Sequence, residues 1–282
     1  MTEEDLRSMI EMEYPLESEG ILLQLQEKQL STFRVNTLKA APDQVESILS
    51  QEGKSFTRRS FPPYSYIVED GRMGSSRCFR EGLVYMQSLS SMLPPLLLDP
   101  HPGERILDMA AAPGGKTTEI AALSGNKAII DAVEPAASRA DRLRRNLRTL
   151  GAKATVIEKD ARFLSQVKLY DKVLLDAPCS GSGTFQSGRS YGNDIQRLPK
   201  LQEDLLSKAL RLTARGGLVV YSTCSILARE NEEVVRKAIR REGGRIEEIG
   251  IEDAPILRRD SGMITIRPTE LYEGFFIAAI RR

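Results

Sequence analysis

With 282 residues, 41% of them hydrophobic, the chain is long enough to bury the core of one large domain and of a smaller one. Its formal net charge of +1 hides an asymmetry, because seven carboxylates and one arginine give residues 1–20 a net charge of −6, so the other 262 residues carry +7. No apolar run approaches the length of a membrane span, and the three cysteines form neither a disulfide framework nor a CxxC metal motif, so we expect a cytoplasmic, metal-free protein with reduced thiols.

The first third of the chain predicts helices followed by a small α/β segment. Residues 3–30 have the pattern of one or two acidic amphipathic helices, interrupted near Pro15. Strand-like stretches follow at residues 32–36, 55–57 and 64–68, with a helical stretch at residues 42–51. A further helix is predicted at residues 87–92.

From residue 105 onward, strands and helices alternate regularly. The predicted strands are at residues 105–108, 128–133, 154–157, 172–175, 218–221 and 275–280. The predicted helices are at residues 117–123, 136–150, 201–213 and 230–241. This alternation predicts a doubly wound parallel sheet with helices on both faces.

Two cysteines follow apolar, strand-like runs. Cys179 comes after the run that ends at Asp176, and Cys224 comes after the run that ends at Ser222. Ligands bind outside the carboxyl ends of the strands in such a sheet, so the two thiols can converge on one substrate. Free cysteines are commonly core residues, but Pro, Ser, Thr and Gly flank these two, which favours covalent chemistry. Cys78 lacks this context, and we interpret it as structural.

A loop of small residues follows the predicted strand at residues 105–108 and leads into a helix. Residues 110–117 read AAAPGGKT, and the glycines allow the backbone to approach a ligand near the amides of the helix start. Glu134 ends the next strand, 20 residues after Gly114, the spacing at which an acidic side chain binds a ribose diol. These features predict a nucleoside-bearing cofactor.

The alternative for this loop is a phosphate-binding P-loop of an NTPase. The segment comes within one residue of the GxxxxGK[ST] pattern, and the apolar run ending at Asp176 resembles a metal-binding strand. However, Ala110 stands where the pattern requires glycine, and NTPase chemistry has no use for two thiols.

Taken together, these segments resemble the Sun-type family of RNA cytosine-5 methyltransferases, which use S-adenosylmethionine. The resemblance runs from about residue 33 to the last residue. It rests on the segments FRVNTL (33–38), QSLSSM (87–92), DMAAAPGGKT (108–117), DAPCSG (176–181), YSTCS (221–225), ENEE (230–233) and GFF (274–276). Ala110 departs from the family, which has cysteine at this non-catalytic position.

The resemblance implies a doubly wound, Rossmann-like class I methyltransferase sheet with a small N-terminal α/β, RRM-like module. After the acidic N-terminal helices (1–30), which the residue pattern predicts, it divides the chain into an RNA-binding module (31–82) and a methyltransferase domain (83–282). It also implies a cofactor site formed by Ala110, Ala111, Ala112, Pro113, Gly114, Gly115, Lys116, Glu134, Arg139, Asp160 and Asp176. Among these, Asp160 reads the adenine, Asp176 lies beside the methyl donor and the base, and Lys116 orders Asp176.

Carbon 5 of cytosine is too weak a nucleophile to attack the methyl donor, so a thiolate must first add to carbon 6. Chemistry alone does not decide which thiol attacks. DNA cytosine-5 methyltransferases use the cysteine that corresponds to Cys179, whereas the Sun-type resemblance assigns attack to Cys224 and proton removal to Cys179. We expect the nucleophile to have a lowered pKa.

We expect an RNA substrate, transfer RNA before ribosomal RNA, and a monomeric enzyme. A basic stretch at residues 139–148, with Arg34, Arg58 and Arg59, is compatible with RNA contact or with a solvated helix face. Three alternatives to the RNA cytosine-5 assignment stay open at this point: a methyltransferase for another nucleobase or a small molecule, the NTPase, and a non-catalytic RNA-binding assembly factor.

Overall fold

The computed structural model describes residues 3–69, 73–184, 196–251 and 253–282. The chain divides into two compact units: unit 1 comprises Met1–Gln29 and Leu175–Arg282, and unit 2 comprises Leu30–Leu174. The described helices are α1 (Glu3–Glu13), α2 (Ser18–Gln26), α3 (Pro42–Gln51), α4 (Arg77–Arg80), α5 (Leu89–Leu98), α6 (Gly115–Leu123), α7 (Ala137–Leu150), α8 (Leu198–Leu212) and α9 (Glu232–Glu242). The described strands are β1 (Thr32–Val35), β2 (Phe56–Arg58), β3 (Ser65–Val68), β4 (Val84–Met86), β5 (Arg105–Asp108), β6 (Ile129–Val133), β7 (Thr155–Ile157), β8 (Tyr170–Asp176), β9 (Thr213–Thr223), β10 (Arg245–Glu247), β11 (Ile256–Asp260), β12 (Met263–Ile266) and β13 (Phe275–Arg281).

Unit 2 begins with a four-stranded antiparallel sheet in the spatial order β2-β3-β1-β4. Along the chain its elements run β1-α3-β2-β3-α4-β4, which is the βαββαβ connectivity of the ferredoxin-like fold. Phe33 stacks on Tyr66, with ring centroids 5.0 Å apart, in a core that includes Val45 and Leu49 of α3. Cys78 is fully buried in this core, which confirms its structural role.

The rest of unit 2 contains a parallel sheet in the order β8-β5-β6-β7. α6 connects β5 to β6, and α7 connects β6 to β7. α7 is amphipathic because Leu143, Leu147 and Leu150 recur at helical spacing and are buried, while the arginines between them point outward. The helix ends at Gly151, whose φ of 68° lies in the left-handed region that glycine adopts without strain.

Unit 1 contains antiparallel strands in the order β11-β12-β13-β9, and β10 pairs with β13. The last two residues of β8 also belong to this unit. The apolar faces of α1 and α2 pack against the segment that follows β9. The buried residues of this cluster are Leu6, Ile10, Tyr14, Ile21, Leu25, Ile226 and Leu227.

The predicted α/β fold class is confirmed: unit 2 contains parallel strands with connecting helices, and unit 1 contains antiparallel strands. The predicted helix at residues 42–51 matches α3, and the interruption near Pro15 separates α1 from α2. α4, β4 and β10–β12 were not predicted, and β9 begins five residues before the predicted strand at 218–221.

Within the described residues, no helix is long and apolar enough to cross a membrane. The division at residue 82 falls inside unit 2, and the RNA-binding role of residues 31–82 stays a prediction.

Candidate active site

Cys179 and Cys224 lie side by side in unit 1. Cys179 is three residues beyond the end of β8, and Cys224 directly follows β9. Their Sγ atoms are 3.1 Å apart, both thiols are free, and both residues are partly exposed. At this distance one thiol donates a hydrogen bond to the other. The structure thus brings together the two cysteines that the sequence placed at strand ends.

The chain on either side of the thiols is fixed by contacts between the ends of β8 and β9. The backbone N–H of Ala177 donates to the carbonyl of Ser222 at 2.8 Å. The Ser222 hydroxyl donates to Oδ1 of Asp176, also at 2.8 Å. Asp176 therefore belongs to the same strand ends as the thiols, and one of its oxygens is already oriented by a neighbouring hydroxyl.

The two thiols differ in their electrostatic environment. The hydrogen bond that the Cys179 thiol donates to Cys224 and burial raise the pKa of Cys179 well above its usual value, and the Glu230 carboxylate adds to this effect. A thiol with a raised pKa stays protonated at neutral pH. Cys179 is therefore suited to be the S–H donor of the pair.

Two glycines allow the loop after Cys179 to pack against the start of β13. Gly183 N–H donates to the carbonyl of Cys224 at 3.0 Å, and Gly274 N–H donates to the carbonyl of Gly183 at 2.9 Å. A Cβ atom on Gly183 would lie 1.9 Å from the carbonyl oxygen of Gly274. The GFF segment, which sequence reasoning could not explain, thus supplies a glycine for close backbone contact.

The N-terminal helices hold the loop that follows Cys224. The Tyr14 hydroxyl donates to the carbonyl of Ile226 at 2.6 Å. Glu13 accepts the backbone N–H of Ala228, at 3.0 Å to its nearer carboxylate oxygen. Burial raises the pKa of Glu13, which shows that this carboxylate is partly withdrawn from water. The acidic N-terminal helices therefore hold the loop after Cys224 within unit 1.

In unit 2, hydrogen bonds and a left-handed glycine fix the conformation of the loop between β5 and α6. Asp108 accepts a hydrogen bond from the Thr117 hydroxyl at 2.6 Å, which ties the end of β5 to the first turn of α6. Gly114, the residue before α6, has a φ of 109°, and a Cβ atom there would lie 2.9 Å from Leu143 Cδ1. The Lys116 ammonium donates to Ser91 Oγ at 2.7 Å. Its predicted effect on Asp176 stays a prediction.

Glu134 lies directly after β6 and is 1% exposed. Its Oε1 accepts the backbone N–H of Ala136 at 3.0 Å. The guanidinium of Arg139 joins Glu134 to the loop, because Nη2 lies 3.3 Å from Glu134 Oε2 and donates to the carbonyl of Ala112 at 3.1 Å. Arg139, whose function the sequence left uncertain, thus orients both parts of the predicted cofactor site.

Asp160 lies beyond β7, at the same carboxyl edge of the parallel sheet as Glu134. Its side chain caps the short 3₁₀ helix Ala161–Phe163 by accepting the N–H of Arg162 at 2.9 Å. Hydrogen bonds from the Arg162 guanidinium lower the pKa of Asp160, so it is ionised at neutral pH. An ionised acceptor at this edge is compatible with the predicted contact to adenine.

Arg34 is buried, so of the two interpretations of the basic residues, RNA contact and a solvated helix face, neither applies to it. Its side chain is 3% exposed. Nε donates to Gln87 Oε1 at 2.8 Å, and Nη2 donates to Thr118 Oγ1 at 2.7 Å and to the carbonyl of Gly115 at 3.1 Å. These hydrogen bonds hold the first turn of α6. The residue pattern of β1, a strand of four residues, could not reveal this role of Arg34.

Sequence reasoning also missed residues that organise the cysteine loops. Glu230 and Gln202 are both buried and contact these loops, although the ENEE segment had no assigned role. The sequence shows only that Glu230 lies six residues after Cys224, and an acidic residue at such a position is compatible with many roles. Among the described residues, no group of three or more His, Cys, Asp or Glu side chains could hold a metal ion.

A family model described as 16S rRNA methyltransferase RsmB/F matches residues 95–281. The ribosomal RNA small subunit methyltransferase F of Shewanella amazonensis is 36% identical over 271 residues, which cover 89% of this chain but only 58% of that protein. The tRNA (cytosine(49)-C(5))-methyltransferase of Pyrococcus abyssi is 34% identical over 277 residues, which cover 89% of this chain and 88% of that protein. The crystal structure of NSun6 from Pyrococcus horikoshii with SFG has a TM-score of 0.89 at 25% identity and covers 98% of this chain and 97% of its own. The chain thus spans less than two thirds of the length of the ribosomal RNA relative.

Proposed function

Since the chain belongs to the 16S rRNA methyltransferase RsmB/F family, we propose that it transfers a methyl group from S-adenosylmethionine to carbon 5 of a cytosine in RNA. The observation that carries this proposal is the pair of thiols at the ends of β8 and β9, with Sγ atoms 3.1 Å apart. Methylation of an amine or a hydroxyl needs no thiol. Methylation of carbon 5 needs one to activate the ring and gains from a second to release the product.

We assign the nucleophile to Cys224 and proton removal to Cys179. Cys224 Sγ forms a bond to carbon 6, and the electron pair of the 5,6 double bond then forms the bond from carbon 5 to the methyl group. Cys179 gives its own proton to solvent and then accepts the carbon 5 proton. The electron pair of the C5–H bond re-forms the 5,6 double bond, and the C6–S bond breaks to release the Cys224 thiolate. The raised pKa of Cys179 supports this assignment, because a thiol that stays protonated is a poor nucleophile.

Asp176 is proposed to hydrogen-bond the ring edge and the exocyclic amine of the cytosine. Its Oδ1 accepts from Ser222, which fixes the rotation of the carboxylate before substrate binds. A preorganised carboxylate stabilises the charge that develops on the base during addition. The base must be unpaired or flipped out of a helix to reach the thiols.

The residues predicted to hold the cofactor fit a nucleoside with a short charged chain. S-adenosylmethionine supplies an electrophilic methyl group when it is bound. The left-handed Gly114 lets the start of α6 pack closely against Leu143 of α7, and the backbone amides at this helix start can face a carboxylate. Glu134, held by Arg139, is proposed to bind the ribose, and Asp160 the adenine. A relative solved with SFG, an S-adenosylmethionine analogue, supports this choice of cofactor.

We propose transfer RNA as the substrate, with residues 31–82 contributing to its binding. The Pyrococcus abyssi relative that is named a tRNA methyltransferase matches along 88% of its own length, whereas the ribosomal RNA relative matches along 58%. The proposed enzyme is a monomer that needs no metal ion. Its reduced thiols require a reducing compartment, so we propose that it acts in the cytoplasm.

Transfer of a labelled methyl group tests the proposed function. We expect the purified protein to transfer label from S-adenosylmethionine to transfer RNA, and bisulfite sequencing to locate it on carbon 5 of a cytosine. Ribosomal RNA and a set of small-molecule acceptors serve as competing substrates. Label on ribosomal RNA alone would overturn the substrate proposal. Label on a small molecule or on another nucleobase would overturn the reaction itself.

A further inference from the structure

Glu230 is a buried carboxylate that contacts the residue following each active-site cysteine. It ends the short 3₁₀ helix Ala228–Glu230 and is 1% exposed. Its Oε2 accepts from the hydroxyls of Ser180 at 2.5 Å and Ser225 at 2.6 Å. Its Oε1 accepts the backbone N–H of Ser180 at 2.9 Å. Because Ser180 follows Cys179 and Ser225 follows Cys224, one side chain joins the two cysteine loops.

Gln202 of α8 extends this junction to the residue before Cys179. Its Nε2 donates to Glu230 Oε1 at 3.2 Å and to the carbonyl of Pro178 at 2.9 Å. Gln202 is itself fully buried. The residues on both sides of Cys179 are therefore tied, directly or through one amide, to the same carboxylate.

The charge of Glu230 is balanced by hydrogen bonds. In the part of the chain that the structure describes, four donors from Ser180, Gln202 and Ser225 reach the carboxylate, and no lysine or arginine forms a salt bridge with it. Burying a carboxylate is costly unless its oxygens are satisfied in this way. A glutamine at this position would keep one acceptor oxygen. Its NH2 group would replace the other oxygen and would face hydrogen-bond donors that are already present. The site therefore requires two acceptor oxygens.

We infer that Glu230 is a positioning residue, which holds the loops of Cys179 and Cys224 together and so sets the 3.1 Å separation of their Sγ atoms. The two thiols must act on adjacent carbons of one ring, so their separation limits the reaction. This consequence for catalysis rests on the proposed function. The separation itself can be measured without RNA.

The test replaces Glu230 by glutamine and measures how readily the two thiols can be bridged. Dibromobimane becomes fluorescent when both of its arms have reacted with neighbouring thiols, so its fluorescence reports the pairing of Cys179 with Cys224. We expect Glu230→Gln to lose most of this fluorescence while circular dichroism shows a folded protein. Cys78 is fully buried elsewhere in the chain and contributes no pair.

The matched control is Glu232→Gln. Glu232 lies two residues further on, has a side chain that is 4% exposed, and pairs with Arg258 rather than with the cysteine loops. This control should lose thermal stability but keep the bimane fluorescence of the native protein. Equal loss of fluorescence in both variants, or unchanged fluorescence in folded Glu230→Gln, overturns the inference.

Steady-state kinetics supply the second readout. We expect kcat for RNA methylation to fall by about 100-fold in Glu230→Gln, the loss that a misplacement of about 1 Å can cause, with little change in KM for S-adenosylmethionine. A rise in KM with unchanged kcat contradicts a positioning role. If the native protein methylates no RNA, the proposed function fails, and the bimane experiment still decides whether Glu230 sets the thiol pair.

Discussion

The two active-site thiols are the same functional group, but their surroundings give them different roles. Cys179 is the protonated partner, because the hydrogen bond with Cys224 and burial raise its pKa. Since proton removal is assigned to Cys179, we expect the Cys179→Ala variant to add to carbon 6 through Cys224 and then to stall before the carbon 5 proton is lost. The variant should accumulate a covalent protein–RNA adduct that survives denaturing gel electrophoresis and disappears on nuclease digestion.

Two other alanine variants complete this experiment. Cys224→Ala, alone or combined with Cys179→Ala, should form no adduct and transfer no methyl group. Cys78→Ala makes the same chemical change at a buried thiol of the unit 2 core and should leave activity intact. An adduct in Cys224→Ala but not in Cys179→Ala would reverse the roles and give the site the chemistry of a DNA cytosine-5 methyltransferase.

The thiols could be found from sequence, but the residues that hold them could not. Cysteine in a polar turn after an apolar strand is unusual enough to indicate chemistry. Glu230, Ser180 and Ser225 are residue types that occur throughout loops, and only the fold brings them within hydrogen-bonding distance. Arg34 shows the same limit, since neither interpretation of the basic residues applies to a cation that is buried against α6.

The element that presents the cofactor loop, α6, is held by a buried pair of opposite charges. Glu119 on α6 lies 3.8 Å from Nε of Arg34 and accepts from Gln87 Nε2 at 2.7 Å. Burial raises the pKa of Glu119 from 4.5 to about 7, although Arg34 opposes this shift. The folded protein therefore binds a proton that the unfolded chain releases between pH 4.5 and 7.

This shift makes stability depend on pH in a defined direction. The contribution of Glu119 is fully present below pH 4.5 and is lost as the pH rises to about 7, because the folded state then gives up its extra proton. Relative to Glu119→Gln, the native protein should lose up to about 3 kcal/mol of unfolding free energy across this range, at about 1.4 kcal/mol per pKa unit. Urea unfolding of both proteins at several pH values measures the difference. A constant difference from pH 4.5 to 8 contradicts the prediction.

Glu52, a second carboxylate in unit 2, provides a control because its pKa is shifted in the opposite direction to that of Glu119. Hydrogen bonds from Ser76 and from the backbone of Arg77 lower the pKa of the exposed Glu52. Its stabilising contribution is present above pH 4.5 and is lost as the pH falls below that value. Glu52→Gln should therefore leave the pH dependence between 4.5 and 7 unchanged.

Elements with a clear apolar pattern were predictable, and α4, β4 and β10–β12 were the helices and strands that the sequence did not predict among the described residues. α7 and the strands β5, β6 and β8 have continuous apolar patterns, so their positions agree with the sequence to within a few residues. β4 and β10 have three residues each and were missed, although β2 and β7 have the same length and were predicted. β11 and β12 form an antiparallel pair in which Arg258 and Arg259 interrupt the apolar pattern, so the pairing depends on tertiary context.

Across the whole molecule, the near-neutral net charge conceals separate acidic and basic regions. The N-terminal 20 residues hold a charge of −6, and the remainder holds +7. In the described chain, Arg142, Arg145 and Arg148 project from α7 at intervals of three residues, are exposed, and form no salt bridge. Arg144 differs, because Asp141 and Glu158 neutralise it. The three exposed arginines, which we call the α7 stripe, are the part of the basic stretch still available to phosphate groups.

Reversing the charge of the α7 stripe tests whether it binds RNA. If the three arginines contact phosphates, the triple change to glutamate should weaken transfer RNA binding and flatten the dependence of log K on log salt by about 0.7 to 0.9 per lost contact. The control changes three exposed arginines elsewhere, Arg215, Arg240 and Arg245, and so keeps the same net charge. Counterion release depends on where the charge lies, so this control should keep the native salt slope. Equal slopes for the native protein and the α7 variant would make the stripe a solvated helix face, and RNA would have to bind through other residues.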